Sequence, residues 1–207
     1  MALDGTYAGL QSSVAAWLHR TDLTAVIPSD LIVLAEQRIS RELRLRAQLT
    51  VAALTTVAGT QALALPTDYL EAETVTVTGS PVRNLDFMTP QELALKFPIG
   101  YCTALPAVYS ILGTNLLFGP TPDAAYPLAM AYYAKFPALS ASNATNWLLA
   151  NHAAIYLFGA LAEAETYNNH DERSTTWEAK YQHELKTLQA ADDRAAHSGS
   201  VLRVRKA

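Results

Sequence analysis

Cysteine is almost missing from this chain: Cys102 is the single one in 207 residues. No disulfide framework and no thiolate metal cluster can form within it, which fits a reducing compartment. Basic excess is missing too. Fifteen Lys and Arg stand against nineteen Asp and Glu, a formal net charge of −4, whereas a dedicated nucleic-acid binder shows a basic surplus. No apolar run reaches the roughly 18 residues of a membrane-spanning helix. The start, Met1-Ala2-Leu3-Asp4-Gly5, has no basic segment leading into an apolar one, so no signal peptide is expected. These absences predict a soluble protein made in a cytoplasm.

Catalytic signatures are equally scarce. The five histidines, His19, His152, His170, His183 and His197, include no pair at the i, i+4 spacing of a helical metal site, and none adjoins the cysteine. Gly59-Thr60 and Gly113-Thr114 are isolated, without phosphate-loop spacing around them, and no Gly-x-Ser-x-Gly elbow occurs. Glu163 and Glu165 lie two apart and so point to different faces of a helix. Cys102 reads as an idle loop thiol, and the sequon Asn143-Ala144-Thr145 has no secretory context. No catalytic residue, metal or cofactor is expected.

What the chain does have is apolar periodicity. Half of it is apolar. Thr6 can cap a helix over 6 to 20 with Tyr7, Leu10, Val14, Trp17 and Leu18 on one side. Pro28 suits the first turn of a second helix, 29 to 46, in which Leu31, Ala35, Ile39 and Leu43 repeat at four. Its other side carries Arg38, Arg41 and Arg44 at steps of three, either a solvated row with local ion pairs or a contact for an acidic surface. Two long antiparallel helices fill Asn146 to about Arg194. Asn146 is the expected cap of the first. Leu148, His152, Ile155, Phe158 and Ala162 form its face, and Trp177, Tyr181, Leu185 and Leu188 form the face of the second.

Between these helices the texture is β. Short β-branched pieces at Thr50-Val51, Thr55 to Val57, Ala62 to Leu65 and Thr74 to Thr78 are punctuated by Gly59, Pro66, Gly79 and Pro81. Thr74 to Thr78 alternates as a strand wet on one face does. Thr89-Pro90-Gln91-Glu92 reads as a capping box opening a short helix to about Phe97. Further strands are expected at 107–112, 115–119 and 126–135, with a tight turn at Gly113-Thr114. The order helices, strands, helices makes an α+β chain. It divides into 1–48 and 142–194 as an antiparallel helical bundle, 49–141 as an inserted small antiparallel β domain with a short helix, and 195–207 as an extended C-terminal tail. That tail alternates Val201, Leu202 and Val204 with Arg203, Arg205 and Lys206, a disordered end or a segment that orders on a partner.

Several stretches together resemble the bacteriophage head-to-tail adaptor (connector) proteins, of the tail tubular protein A type. They are Tyr7-Ala8-Gly9-Leu10 with Val14 to Leu23, then Ile27-Pro28 with Leu34 to Arg44, then Leu65-Pro66-Thr67-Asp68-Tyr69. Pro106 to Tyr109, Tyr132-Tyr133 and Asn146-Trp147-Leu148-Leu149 complete the set. The resemblance implies a structural virion protein at the neck. It would form a ring of about twelve copies below the portal, joining the DNA-filled head to the tail and continuing the DNA channel. Its expected partners are the portal protein, a tail nozzle or stopper protein and copies of itself, with DNA passing unbound and no membrane involved. By this analogy Val201, Leu202, Arg203, Val204, Arg205 and Lys206 dock on the portal. Arg38, Arg41 and Arg44 on one face, with Glu163, Glu165, Asp171 and Glu172 on another, supply the two unlike faces that a closed ring needs. The loop around Phe97, Ile99 and Tyr101 faces the tail. The alternatives are a neck stopper or tail completion protein, a small virion-associated hydrolase with two converging carboxylates, and a ligand-binding module.

Overall fold

Thr6 starts the first helix as its hydroxyl predicts. The side-chain oxygen accepts from the Gly9 N–H at 3.1 Å, and α1 runs Tyr7–Leu18. Leu10, Val14 and Leu18, four apart, are buried, while Trp17 stays 45% exposed. In this computed structural model residues 3–20, 22–167 and 171–196 are described. They form two compact units, Gln48–Lys135 on one hand and Met1–Ala47 with Phe136–Ala207 on the other.

The helical unit departs from expectation in its second helix. A π-helical turn, Ile27–Leu31, carries Pro28 where the missing N–H costs nothing, and α2 follows as Ile32–Glu42. Leu31, Ala35, Ile39 and Leu43 are all buried as the four-residue repeat requires. The helix ends early because Leu43 turns extended, with φ −104° and ψ 129°. Leu43 and Leu45 are both buried, a two-residue spacing that only extended chain can satisfy. Arg44, between them, donates back to the carbonyls of Ser40 (2.9 Å) and Leu43 (2.7 Å) and so satisfies the helix end.

Asn146 caps α4, Trp147–Tyr167. Its side-chain oxygen accepts from the Leu149 N–H at 2.9 Å, and its amide donates to the Pro137 carbonyl and to the Tyr156 hydroxyl. The helical path breaks at His152, with φ −139° and ψ 48°. Beyond it the buried positions are no longer one face: Ile155, Tyr156, Leu157, Ala160, Leu161 and Ala164 surround the axis. A helix apolar all round belongs in the middle of its unit, and α4 packs against α1, α2 and α5. The last helix, α5, spans Asp171–Ala196. It runs antiparallel to α4, with Ser174 beside Thr166 and Tyr181 against Gly159. A Cβ at Gly159 would lie 3.3 Å from both the Ala35 methyl and the Tyr181 ring, so its hydrogen is what lets the three helices approach.

The β unit contains two four-stranded sheets. One orders Leu49–Thr55 (β1), Pro127–Ala134 (β8), Tyr69–Val77 (β3) and Arg83–Asn84 (β4). The other orders Ala62–Ala64 (β2), Asn115–Gly119 (β7), Val108–Leu112 (β6) and Asp86–Phe87 (β5). Val75, Val77, Met130, Tyr132, Leu116 and Phe118 fill the core between them. Thr74 is exposed while Val75 and Val77 are buried, the one-sided wetting that alternation predicted. The β3 strand starts five residues earlier than its alternation suggests, because bulges at Tyr69/Glu71 and Ala72/Thr74 break the two-residue period. β4 and β5, two residues each, carry no period and were not foreseen, and β5 pairs parallel with β6 rather than antiparallel. Gly113, with φ 61°, opens the two-residue turn between β6 and β7. Thr89 and Glu92 complete a reciprocal capping box before α3, Pro90–Lys96. In the Leu65-Pro66-Thr67-Asp68-Tyr69 stretch, Asp68 accepts from the Tyr132 hydroxyl at 2.9 Å and Tyr69 stacks on the same ring. The stretch therefore locks β3 to β8.

Candidate interaction surfaces

The arginine row of α2 separates into three roles. Arg38 turns inward. Its guanidinium donates to both Glu178 oxygens at 2.8 Å and to Glu163 at 3.1 Å, stays 3.8 Å from Glu42, and lies 4.5 Å above the Tyr181 ring. Burial disfavours its charge, and the hydrogen bonds it donates to Glu178 and Glu163 more than offset that, so its pKa rises. Three helices are tied at this point. Glu163 is thus engaged within its own chain, and Glu178 is a partner that sequence reasoning missed; only its placement opposite α2 identifies it. Arg44 serves as the carbonyl cap described above. Arg41 remains exposed, with no ion-pair partner among the described residues.

Glu165, two residues from Glu163, points elsewhere and is buried. It lines a groove with Trp17, His19, Arg173 and Trp177. Trp17 meets Phe158 and Trp177 edge to face, Phe158 stacks on Trp177, and the Lys180 ammonium lies 4.5 Å above the Trp177 ring. Each ring reads as apolar periodicity on its own helix; their convergence across about 160 positions has no local signal. Asp171 and Glu172 open α5.

Tyr181 and Tyr156 sit deep in the same unit, and burial pushes both phenols up. Glu36 accepts from the Leu139 N–H at 2.8 Å, yet burial outweighs that bond and raises its carboxyl above the usual range.

In the β unit the loop after α3 is apolar and open. Ile99 is 88% exposed and Tyr101 76%. Phe97 differs from them. It is half-buried over Gly119, where an added Cβ would sit 2.6 Å from its ring, and its carbonyl accepts from Gln61 at 3.1 Å. Leu95, on α3, and Phe87 are also largely exposed and extend the set of apolar side chains beyond those singled out in sequence. Cys102 is a free, half-buried thiol.

The tail positions Val201, Leu202, Arg203, Val204, Arg205 and Lys206 lie outside the described residues. Among the described residues no group of three His, Cys, Asp or Glu could hold a metal, and no helix is long and apolar enough to cross a membrane. No curated protein matches the chain. The model of one family does: it is described as SU10 adaptor protein, and the match covers residues 5–205. That span is nearly the whole chain and includes both terminal helical segments and the β insert, so the protein belongs to the SU10 adaptor protein family and is a phage structural adaptor, a virion component.

Proposed function

We propose that this protein acts as a head-to-tail adaptor: copies form a ring below the portal, joining the filled head to the tail and extending the DNA channel. The observation that carries the reading is the family match over residues 5–205. The division of labour in the chain supports it. A helical unit locked by internal charge pairs suits a repeated ring element, and a β unit with an exposed apolar loop suits a second contact made on assembly.

In this reading the ring seam uses Arg41 against Asp171 and Glu172 on the next copy; Glu165, buried within its own subunit, takes no part in it. Arg38 and Glu163 hold the subunit itself together, and Arg44 supports the α2 terminus. Ile99 and Tyr101, backed by Phe97, face the tail nozzle or stopper. The segment Val201 to Lys206 docks on the portal, where its arginines pair with acidic groups. A net charge of −4 per copy, repeated around a ring, disfavours gripping the phosphates of DNA in transit.

Co-sedimentation with portal rings from the same genome tests this. The full chain should bind in a fixed ratio, a version ending at Arg194 should not, and Arg41→Glu should bind only as isolated subunits. Failure of the full chain to bind sinks the adaptor role. Binding by the shortened version moves the docking surface to the helices.

A further inference from the structure

Three of the four sheet edges in the β unit are protected and one is not. β2 has three residues, and β4 and β5 have two each. Pro81 and Arg83 further blunt the β4 side. Shortness, proline and charge are the usual devices against strand addition. β1 has none of them. Its seven residues, Leu49-Thr50-Val51-Ala52-Ala53-Leu54-Thr55, contain no charge and no proline, and it stands at the end of its sheet.

The pairing on its other side decides which backbone groups face out. The Thr56 N–H donates to the Tyr126 carbonyl at 3.0 Å, one step beyond the Thr55↔Pro127 register. Bonded pairs alternate in an antiparallel ladder, so Thr50, Ala52 and Leu54 bond to β8. The N–H and C=O groups of Leu49, Val51, Ala53 and Thr55 therefore point outward. Among the described residues no other backbone bond reaches them. Their side chains are also exposed, Val51 to 65%.

We infer that β1 is a self-pairing edge: two copies of the chain join antiparallel through it, continuing one sheet into the other. The outward positions are symmetric about Ala52. A two-fold axis there sets Leu49 opposite Thr55 and Val51 opposite Ala53, and every outward group finds a partner. No like charges meet across the pair, because the strand has none. Such a contact is isologous and closes at two copies. It is a state of the free protein and stands apart from the ring reading.

Two measurements on the full chain test it. Sedimentation equilibrium should show monomer and dimer, and Val51→Lys should raise the dissociation constant roughly tenfold or more, where tenfold is about 1.4 kcal/mol. Val82→Lys, at a somewhat more exposed site outside the edge, should leave it unchanged. In a Cys102→Ser background, Ala52→Cys should form a disulfide-linked dimer on mild oxidation, because a non-bonded pair at the axis brings Cα atoms to about 4.5 Å. Ala53→Cys, set opposite Val51, should not. A chain that stays monomeric throughout, a dimer indifferent to Val51→Lys, or no cross-link at position 52 would each overturn the proposal. So would a monomer whose β1 amides gain exchange protection only when portal rings are added, since the edge would then belong to another virion protein.

Discussion

The two units spend their side chains differently. In the helical unit Arg38 holds carboxylates from three helices, Arg46 pairs with Asp192, and Lys180 lies over stacked rings. Its one described large apolar side chain more than half exposed is Tyr167. In the β unit Val51, Val82, Phe87, Leu95, Ile99 and Tyr101 all exceed that mark. Single exposed apolar residues are ordinary on any surface. Their concentration in one unit is not: the helical unit is tied by charge pairs and stacked rings, while the β unit leaves apolar surface exposed, which is the surface the proposed tail contact would use. All three tryptophans, Trp17, Trp147 and Trp177, lie in the helical unit, so tryptophan fluorescence reports on it alone.

Removing the charge knot should break the contrast most. Arg38→Met leaves Glu163 and Glu178 facing each other without a cation. Uncovering a fully buried pair costs about 3–5 kcal/mol, and these carboxylates are partly exposed, so about 2–3 kcal/mol is expected. Urea unfolding followed by tryptophan emission should show that loss; an unchanged midpoint would mean the knot is ornamental. Asn146→Ala comes next. It removes the α4 cap and takes away the Tyr156 hydroxyl's partner, for about 2 kcal/mol by the same measurement. Asn146→Asp keeps the cap acceptor and should recover about half of that.

How far the sequence could be read follows the same division. Caps, four-residue repeats and turn glycines act over a few positions, so Thr6, Asn146, the Thr89–Glu92 box and the Gly113 turn were legible. The α+β order was too. The early end of α2 was not, since Leu43 continues the four-residue repeat and only the burial of Leu45 beside it marks the chain there as extended. The kink at His152 was hidden for a related reason: its ring fits an apolar stripe, and nothing local marks the non-helical backbone. Arg38 could be named but its role could not, because Glu163 and Glu178 reach it across more than 120 positions. The grouping of Arg38, Arg41 and Arg44 by spacing treated as one row three side chains that the tertiary packing sends to different tasks.

Smaller effects sharpen the comparison. Thr89→Ala should cost the β unit about 1 kcal/mol through loss of the capping box. Amide exchange in β6 and β7 should report it while the tryptophan transition stays put; a shift in both would mean the units unfold together. Glu36→Gln tests the helical unit by pH. The folded pKa of Glu36 lies above its ordinary 4.5, so its favourable contribution is complete below that value and fades as pH rises through the folded pKa. The glutamine oxygen still accepts from Leu139. The variant should therefore match or exceed the parent near pH 7 and lose that advantage near pH 4, and a parent that is the more stable at pH 7 would contradict the burial argument.

The smallest expected change in stability is at the exposed loop. Ile99→Ser with Tyr101→Ser removes two large apolar side chains that are 88% and 76% exposed. Neither lies in the β core cluster, so folding should move by no more than about 0.5 kcal/mol. Phe97→Ser, two residues earlier, gives the contrast: its ring covers Gly119, which Val108 also crowds, and its loss should cost about 2 kcal/mol. If the double variant unfolds as easily as Phe97→Ser, the loop is part of the core and its exposure says nothing about partners. If it folds like the parent yet no longer retains the tail-side component on portal rings, the apolar surface of the β unit is held for assembly, and the difference between the two units is one of function rather than of composition.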